Sequence, residues 1–81
     1  MDAVQQQVTE TIRTAMAVRG ITQRELGNAI GLKHTAMTSR FTGRANWTLG
    51  ELVRAGDVLG VPGWLILRGR QHVLQELAAA G

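Results

Sequence analysis

Apolar residues return every three or four positions along almost the whole chain, the period of a helix that buries one face. Val4, Val8, Ile12, Ala15 and Met16 trace such a stripe and predict a first helix over residues 3–19. Gly20, Gly31, Gly43, Gly60 and Gly69 each follow a periodic segment, the place where a helix characteristically ends in a left-handed residue. Nowhere does the pattern alternate with the two-residue period of a strand.

Polar residues mark where the helices start. Thr22 and Glu25 have the T-x-x-E spacing of a capping box, and Ile21 with Leu26 completes the hydrophobic staple around it. This predicts a second helix over 23–30, stopped by Gly31. The device recurs at Thr48 and Glu51, with Trp47 and Leu52 as the staple and Leu52, Ala55 and Leu59 as the buried face of a fourth helix. Between them a third helix, residues 34–41, follows a very short connection. Pro62 suits the first turn of a fifth helix reaching about residue 68. Residues 71–80 place Val73, Leu74, Leu77 and Ala78 on one side and predict a sixth. Both Trp47 and Trp64 are expected in the core or a staple. The expected fold class is all-α, a compact bundle of five or six helices. Residues 1–69 form its body, and 70–81 a helical tail that either packs back or serves dimerisation.

Composition narrows the function. Eighty-one residues allow one small domain with a single core. The absence of cysteine excludes disulfides, a thiolate zinc site and a cysteine nucleophile. Hydrophobic content of 44% with 19% charged residues fits a globular chain rather than a disordered tail. The longest apolar run, 61–67, is too short to span a bilayer and contains Pro62 and Gly63. The start Met-Asp-Ala-Val-Gln-Gln-Gln lacks the basic and apolar regions of a secretory signal, so a cytoplasmic address is expected. Three aromatics and no Tyr argue against a base-stacking platform for single strands. Nine Lys and Arg against six Asp and Glu give +3, and eight of the nine cations are Arg. Arg suits bidentate contacts to phosphate and guanine, which makes nucleic acid the first partner to consider.

Two short helices joined at a glycine point to a helix-turn-helix. Such a pair demands a small fifth residue in its first helix, a left-handed ninth and an apolar fifteenth that plugs the core. Counted from Gln23, these are Gly27, Gly31 and Met37. Glycine within a helix costs about 1 kcal/mol relative to alanine, so Gly27 asks for a steric reason.

On these residues the segment Thr-Gln-Arg-Glu-Leu-Gly-Asn-Ala-Ile-Gly-Leu-Lys-His-Thr-Ala-Met-Thr-Ser-Arg-Phe-Thr-Gly, 22–43, resembles the helix-turn-helix of the lambda-repressor-like Cro/CI (XRE) regulators. The likeness extends over about residues 4–68, and Ser39-Arg40-Phe41-Thr42-Gly43 with Trp47-Thr48 is similar to small actinobacterial and actinophage members. The resemblance implies a bundle that docks its third helix in the DNA major groove, commonly as a homodimer on a palindromic operator. It assigns base-edge contacts to His34, Thr35 and Ser39, to which the outward-facing Thr38 and the neighbouring Lys33 are added. It assigns phosphate contacts to Gln23 and to the loop residues Thr42, Arg44 and Asn46, and Arg24 and Arg40 join this set. For Arg40 a structural role is the alternative, since many members bury an aliphatic side chain there. Two departures stand out. Lys33 occupies the place of a Ser or Thr N-cap, and Met16 and Phe41 stand where members often pair Arg with Glu.

Charge fits this reading, because no acidic residue occurs from 26 to 50, where Lys33, Arg40 and Arg44 lie. An enzyme is not expected. No two of the six acids form an acid–base pair, there is no phosphate-binding glycine loop, and His72 with Glu76 lacks a third metal ligand. No cofactor, metal, membrane contact or small-molecule ligand is expected. The competing reading is an antitoxin or adaptor of the same fold that acts mainly through a protein partner.

Overall fold

The computed structural model describes residues 2–80. These form six helices in the order α1 (Ala3–Arg19), α2 (Gln23–Ile30), α3 (His34–Thr42), α4 (Leu49–Leu59), α5 (Gly63–Ile66) and α6 (Arg70–Ala80). The chain is therefore a small all-α bundle. Asp2 starts α1 by accepting the Gln5 amide at 2.8 Å. Both capping boxes are complete, with Thr22 and Glu25 at α2 and Thr48 and Glu51 at α4 bonding reciprocally. All five expected turn glycines have positive φ.

Each helix contributes at least one fully buried side chain to a single core. These are Val8 and Ile12 from α1, Leu26 from α2, Met37 from α3, Leu59 from α4, Ile66 from α5 and Val73 from α6. Gly56 lets the end of α4 meet the next segment, since a Cβ there would stand 2.5 Å from the Val61 carbonyl oxygen and 2.8 Å from the Gly63 nitrogen. No buried side-chain nitrogen or oxygen among the described residues lacks a hydrogen-bond partner. Burying polar groups unpaired costs far more than pairing them, so this is a well-satisfied interior.

Some sequence expectations need correction. The fifth helix is one turn, not a segment from 62 to 68. Pro62 is extended (φ −60°, ψ 137°) and precedes the helix as its N-cap. Such a short turn has room to point only Leu65 and Ile66 inward, and Trp64 is left 59% exposed rather than in the core. Val4 continues the stripe of α1 in sequence but is also exposed, at the open end of that helix. Of the two roles expected for the tail, packing back is the one visible within the chain. α6 packs along α1 and buries Val73 and Leu77 in the common core, leaving Leu74 outside. Gly81 lies outside the described residues. The third helix runs one residue longer than expected, to Thr42.

Half of the arginines hold helices together. Arg19 Nε donates to the Leu59 carbonyl at 2.9 Å, and Arg54 Nε to the Ile30 carbonyl at 3.2 Å. Both guanidinium groups thereby sit on the C-terminal carbonyls of another helix, where cations are favoured. Arg13 lies over the Phe41 ring, 4.9 Å from its centre, and Arg40 binds Glu51. Among the described residues no helix is long and apolar enough to cross a membrane.

Candidate nucleic-acid interface

The α2–α3 pair is built around one close approach. A Cβ on Gly27 would stand 2.8 Å from Met37 Cγ and 3.1 Å from the Leu32 carbonyl oxygen. Met37, only 1% exposed, lies across the glycine and locks α3 onto α2. The turn between them requires Gly31 at φ 79°, with its amide returning to the Gly27 carbonyl. A residue with a Cβ adopts that conformation only at a cost. All three positional demands read from the sequence are met.

With Met37 and Phe41 inward, α3 presents His34, Thr35 and Thr38 to solvent, while Ser39 is half-buried beside them. Lys33 precedes the helix in extended conformation and offers no side-chain cap, so its ammonium is exposed next to the first turn of α3. Arg24 is exposed and Gln23 half-buried at the start of α2. They share a small notch of about 60 Å³ with Gly27, Asn28, Leu32, His34 and Met37. Asn28, exposed one turn after Arg24, is a polar contributor to this face that the sequence reading passed over. The i,i+4 spacing from Arg24 was the signal available for it.

The loop after α3 is closely held. Arg44 and Ala45 amides return to the Ser39 carbonyl at 2.9 and 3.1 Å. Thr42 donates its hydroxyl to the Thr38 carbonyl at 2.8 Å, so its side chain is tied to its own helix while remaining at the surface. Arg44 and Asn46 are exposed, and Trp47 turns inward as the anchor. The Gln5 amide grips the Trp47 backbone on both sides, accepting from its N–H at 2.7 Å and donating to its carbonyl at 3.4 Å. The indole N–H reaches the buried Thr9 hydroxyl at 3.0 Å, and the ring meets Phe41 edge to face at 5.3 Å. Phe41 thus packs against Trp47 beneath Arg13.

Of the two roles expected for Arg40, the structure shows a bond within the protein. Its Nε and Nη2 donate to the two carboxylate oxygens of Glu51 at 3.1 and 2.8 Å, a bidentate pair with the carboxylate almost fully buried. The guanidinium is raised further above its usual range by that bond. Burial alone pushes Glu51 up. The bonds from Arg40 and the Thr48 amide, with the charges of Arg40 and Arg54, outweigh it and hold the carboxyl below the ordinary glutamate range. The other nearby acid, Glu25, is also kept below its usual range, by the Thr22 backbone and hydroxyl of its capping box. The outward row is therefore free of unengaged carboxylates, with Arg24, Lys33 and Arg44 as its exposed cations.

A second, wider cleft of about 300 Å³ lies between α1 and the start of α6. Its lining carries both signs of charge, Glu10 opposite Arg68 and Arg70, with His72 beside them. Among the described residues no three His, Cys, Asp or Glu side chains come together to hold a metal ion. Comparison with models of known families, with curated proteins and with solved structures gives no match.

Proposed function

We propose that this chain is a sequence-specific double-stranded DNA-binding regulator of the Cro/CI kind, a binding protein rather than an enzyme, acting inside a bacterial or phage-infected cell. In this reading α3 enters the major groove and His34, Thr35, Thr38 and Ser39 meet base edges. Lys33 stands beside them at the start of α3, and Gln23, Arg24, Arg44 and Asn46 grip the flanking phosphates. The observation that carries it is Met37 locked over Gly27, which rigidly presents a polar, acid-free helix face with cations on either side. Such a face matches what a groove lined by phosphates requires. Regulation would follow from occupancy, the bound protein blocking or reshaping use of a promoter.

One recognition helix reads few base pairs, so the functional species on DNA is proposed to be a homodimer on a two-fold site. The exposed Trp64 and Leu67 at α5 provide apolar surface for it. The tail, with Val73 and Leu77 already buried against α1, supplies little.

In vitro selection from random duplex DNA tests the reading. An enriched motif with two-fold symmetry is expected, bound with a steep salt dependence. Arg44→Ala should weaken selected and random DNA alike and flatten the salt slope by about one counterion. No retardation of any duplex at moderate salt would favour the adaptor reading instead.

A further inference from the structure

We propose that Glu51 is a positioning residue for the recognition helix, fixing the tilt of α3 and its register with the loop at 43–48 through Arg40 and Thr48. This rests on the DNA-binding reading of the α2–α3 face and names the residue that sets the pose of that face. One buried carboxylate joins three elements. Oε1 accepts from Arg40 Nε at 3.1 Å and from the Thr48 amide at 3.0 Å, and Oε2 accepts from Arg40 Nη2 at 2.8 Å. Arg40 belongs to the last turn of α3, Thr48 closes the loop, and Glu51 itself is in the first turn of α4. A fork held at two points fixes the plane of the guanidinium as well as its distance.

The placement makes this a lever. The middle of α3 is pinned where Met37 crosses Gly27. At ~1.5 Å per residue, Arg40 lies ~4.5 Å beyond that pin along the axis and His34 an equal distance before it. A pivot at Met37 would swing His34 by as much as Arg40 moves, in the opposite sense. The Glu51 clamp stops this swing from the C-terminal end. It does so without touching DNA, and the same carboxylate holds the loop that carries Arg44 and Asn46, so base-facing and phosphate-facing groups move as one body.

The test compares parent, Glu51→Gln, Arg40→Lys and the double variant Arg40→Met/Glu51→Gln in the full chain. Gln can still accept the Thr48 amide, and the double variant leaves no orphaned charge should Glu51→Gln fail to fold. With folding verified by circular dichroism, the expected result is about a ten-fold loss in the ratio of selected-site to random-DNA affinity, comparable to losing one good base contact, with an unchanged salt slope. Arg40→Lys should not rescue it, because an ammonium cannot form the fork. Tighter binding to all DNA by Glu51→Gln, with a steeper salt slope, would overturn the proposal by making Arg40 a phosphate contact held in reserve. An unchanged ratio in a folded variant would reduce the pair to a stabilising one. Residual dipolar couplings of the α3 amides relative to α2 read the tilt without DNA. They should change in the variants even if the parent selects no sequence, and unchanged couplings would overturn the proposal in that case.

Discussion

Gly27 and Gly56 are both helical glycines with no room for a Cβ, but their neighbours differ in a way that sets the cost of replacing them. At Gly27 the closest atom is Met37 Cγ, the middle of a flexible side chain; at Gly56 the nearest atoms are the backbone of Val61 and Gly63. Alanine at either position gains about 1 kcal/mol of helix propensity. Gly56→Ala is expected to be the more destabilising, because backbone cannot repack, and Gly27→Leu should cost about 1–3 kcal/mol through overpacking. Urea melts of the three variants rank them, and a Gly27→Leu variant as stable as the parent would contradict the observed register. At Glu51 the consequence is one of pH. A carboxyl whose folded value lies below its ordinary value contributes stability that is complete above about pH 4.3 and lost as pH falls through the folded value. The parent should therefore lose stability on acidification from pH 5 to 3 more steeply than Glu51→Gln, measured by denaturant midpoints at each pH.

At the scale of elements, α3 is the one helix of this face without a side-chain N-cap, because Lys33 stands where an acceptor would serve. Lys33→Ser should restore the cap and stabilise the domain by about 1 kcal/mol. If the ammonium meets phosphate, the same change should weaken DNA binding, so stability and affinity would move in opposite directions. A Lys33→Ser variant that gains stability and keeps full affinity would remove Lys33 from the interface. The helix ends were legible because their signals are local: a hydroxyl or carboxylate bonds an amide three residues away, and glycine relieves a positive φ. α5 was misjudged for the complementary reason. Its start lies where Gly63 seats against the Leu52 and Val53 backbone, a Cβ there standing 2.9 Å from each, and no local signal encodes that approach.

For the whole molecule, α6 closes the core. Leu77→Ala should cost about 2–3 kcal/mol, the lower part of the range for a buried leucine. Removal of 70–81 should leave α1 with an open apolar face and a chain that melts far below the parent or fails to fold, read by circular dichroism. A truncated chain that stays folded but loses cooperative DNA binding would return the tail to the dimerisation role. Trp64→Lys should leave the unfolding free energy within about 0.5 kcal/mol of the parent, as for an exposed site, while abolishing self-association if α5 forms the dimer face. Sedimentation with and without duplex DNA separates these effects.

The periodicity, the capping boxes and the turn glycines determined by themselves that this chain is helical, where most helices begin and end, and that α2 and α3 meet over Gly27. Each rests on residues at most a few turns apart, so the pattern of one segment suffices. The assignment of the arginines was decided only in three dimensions. Eight identical side chains in the sequence divide into Arg13, Arg19, Arg40 and Arg54, which bind across helices, and Arg24, Arg44, Arg68 and Arg70, which have no such partner among the described residues. The partners of the first group are up to forty residues away, at Phe41, Leu59, Glu51 and Ile30. A long cationic side chain has no local signature for whether it will reach a distant carbonyl or remain in water, and that difference settles which charges are left to meet a partner.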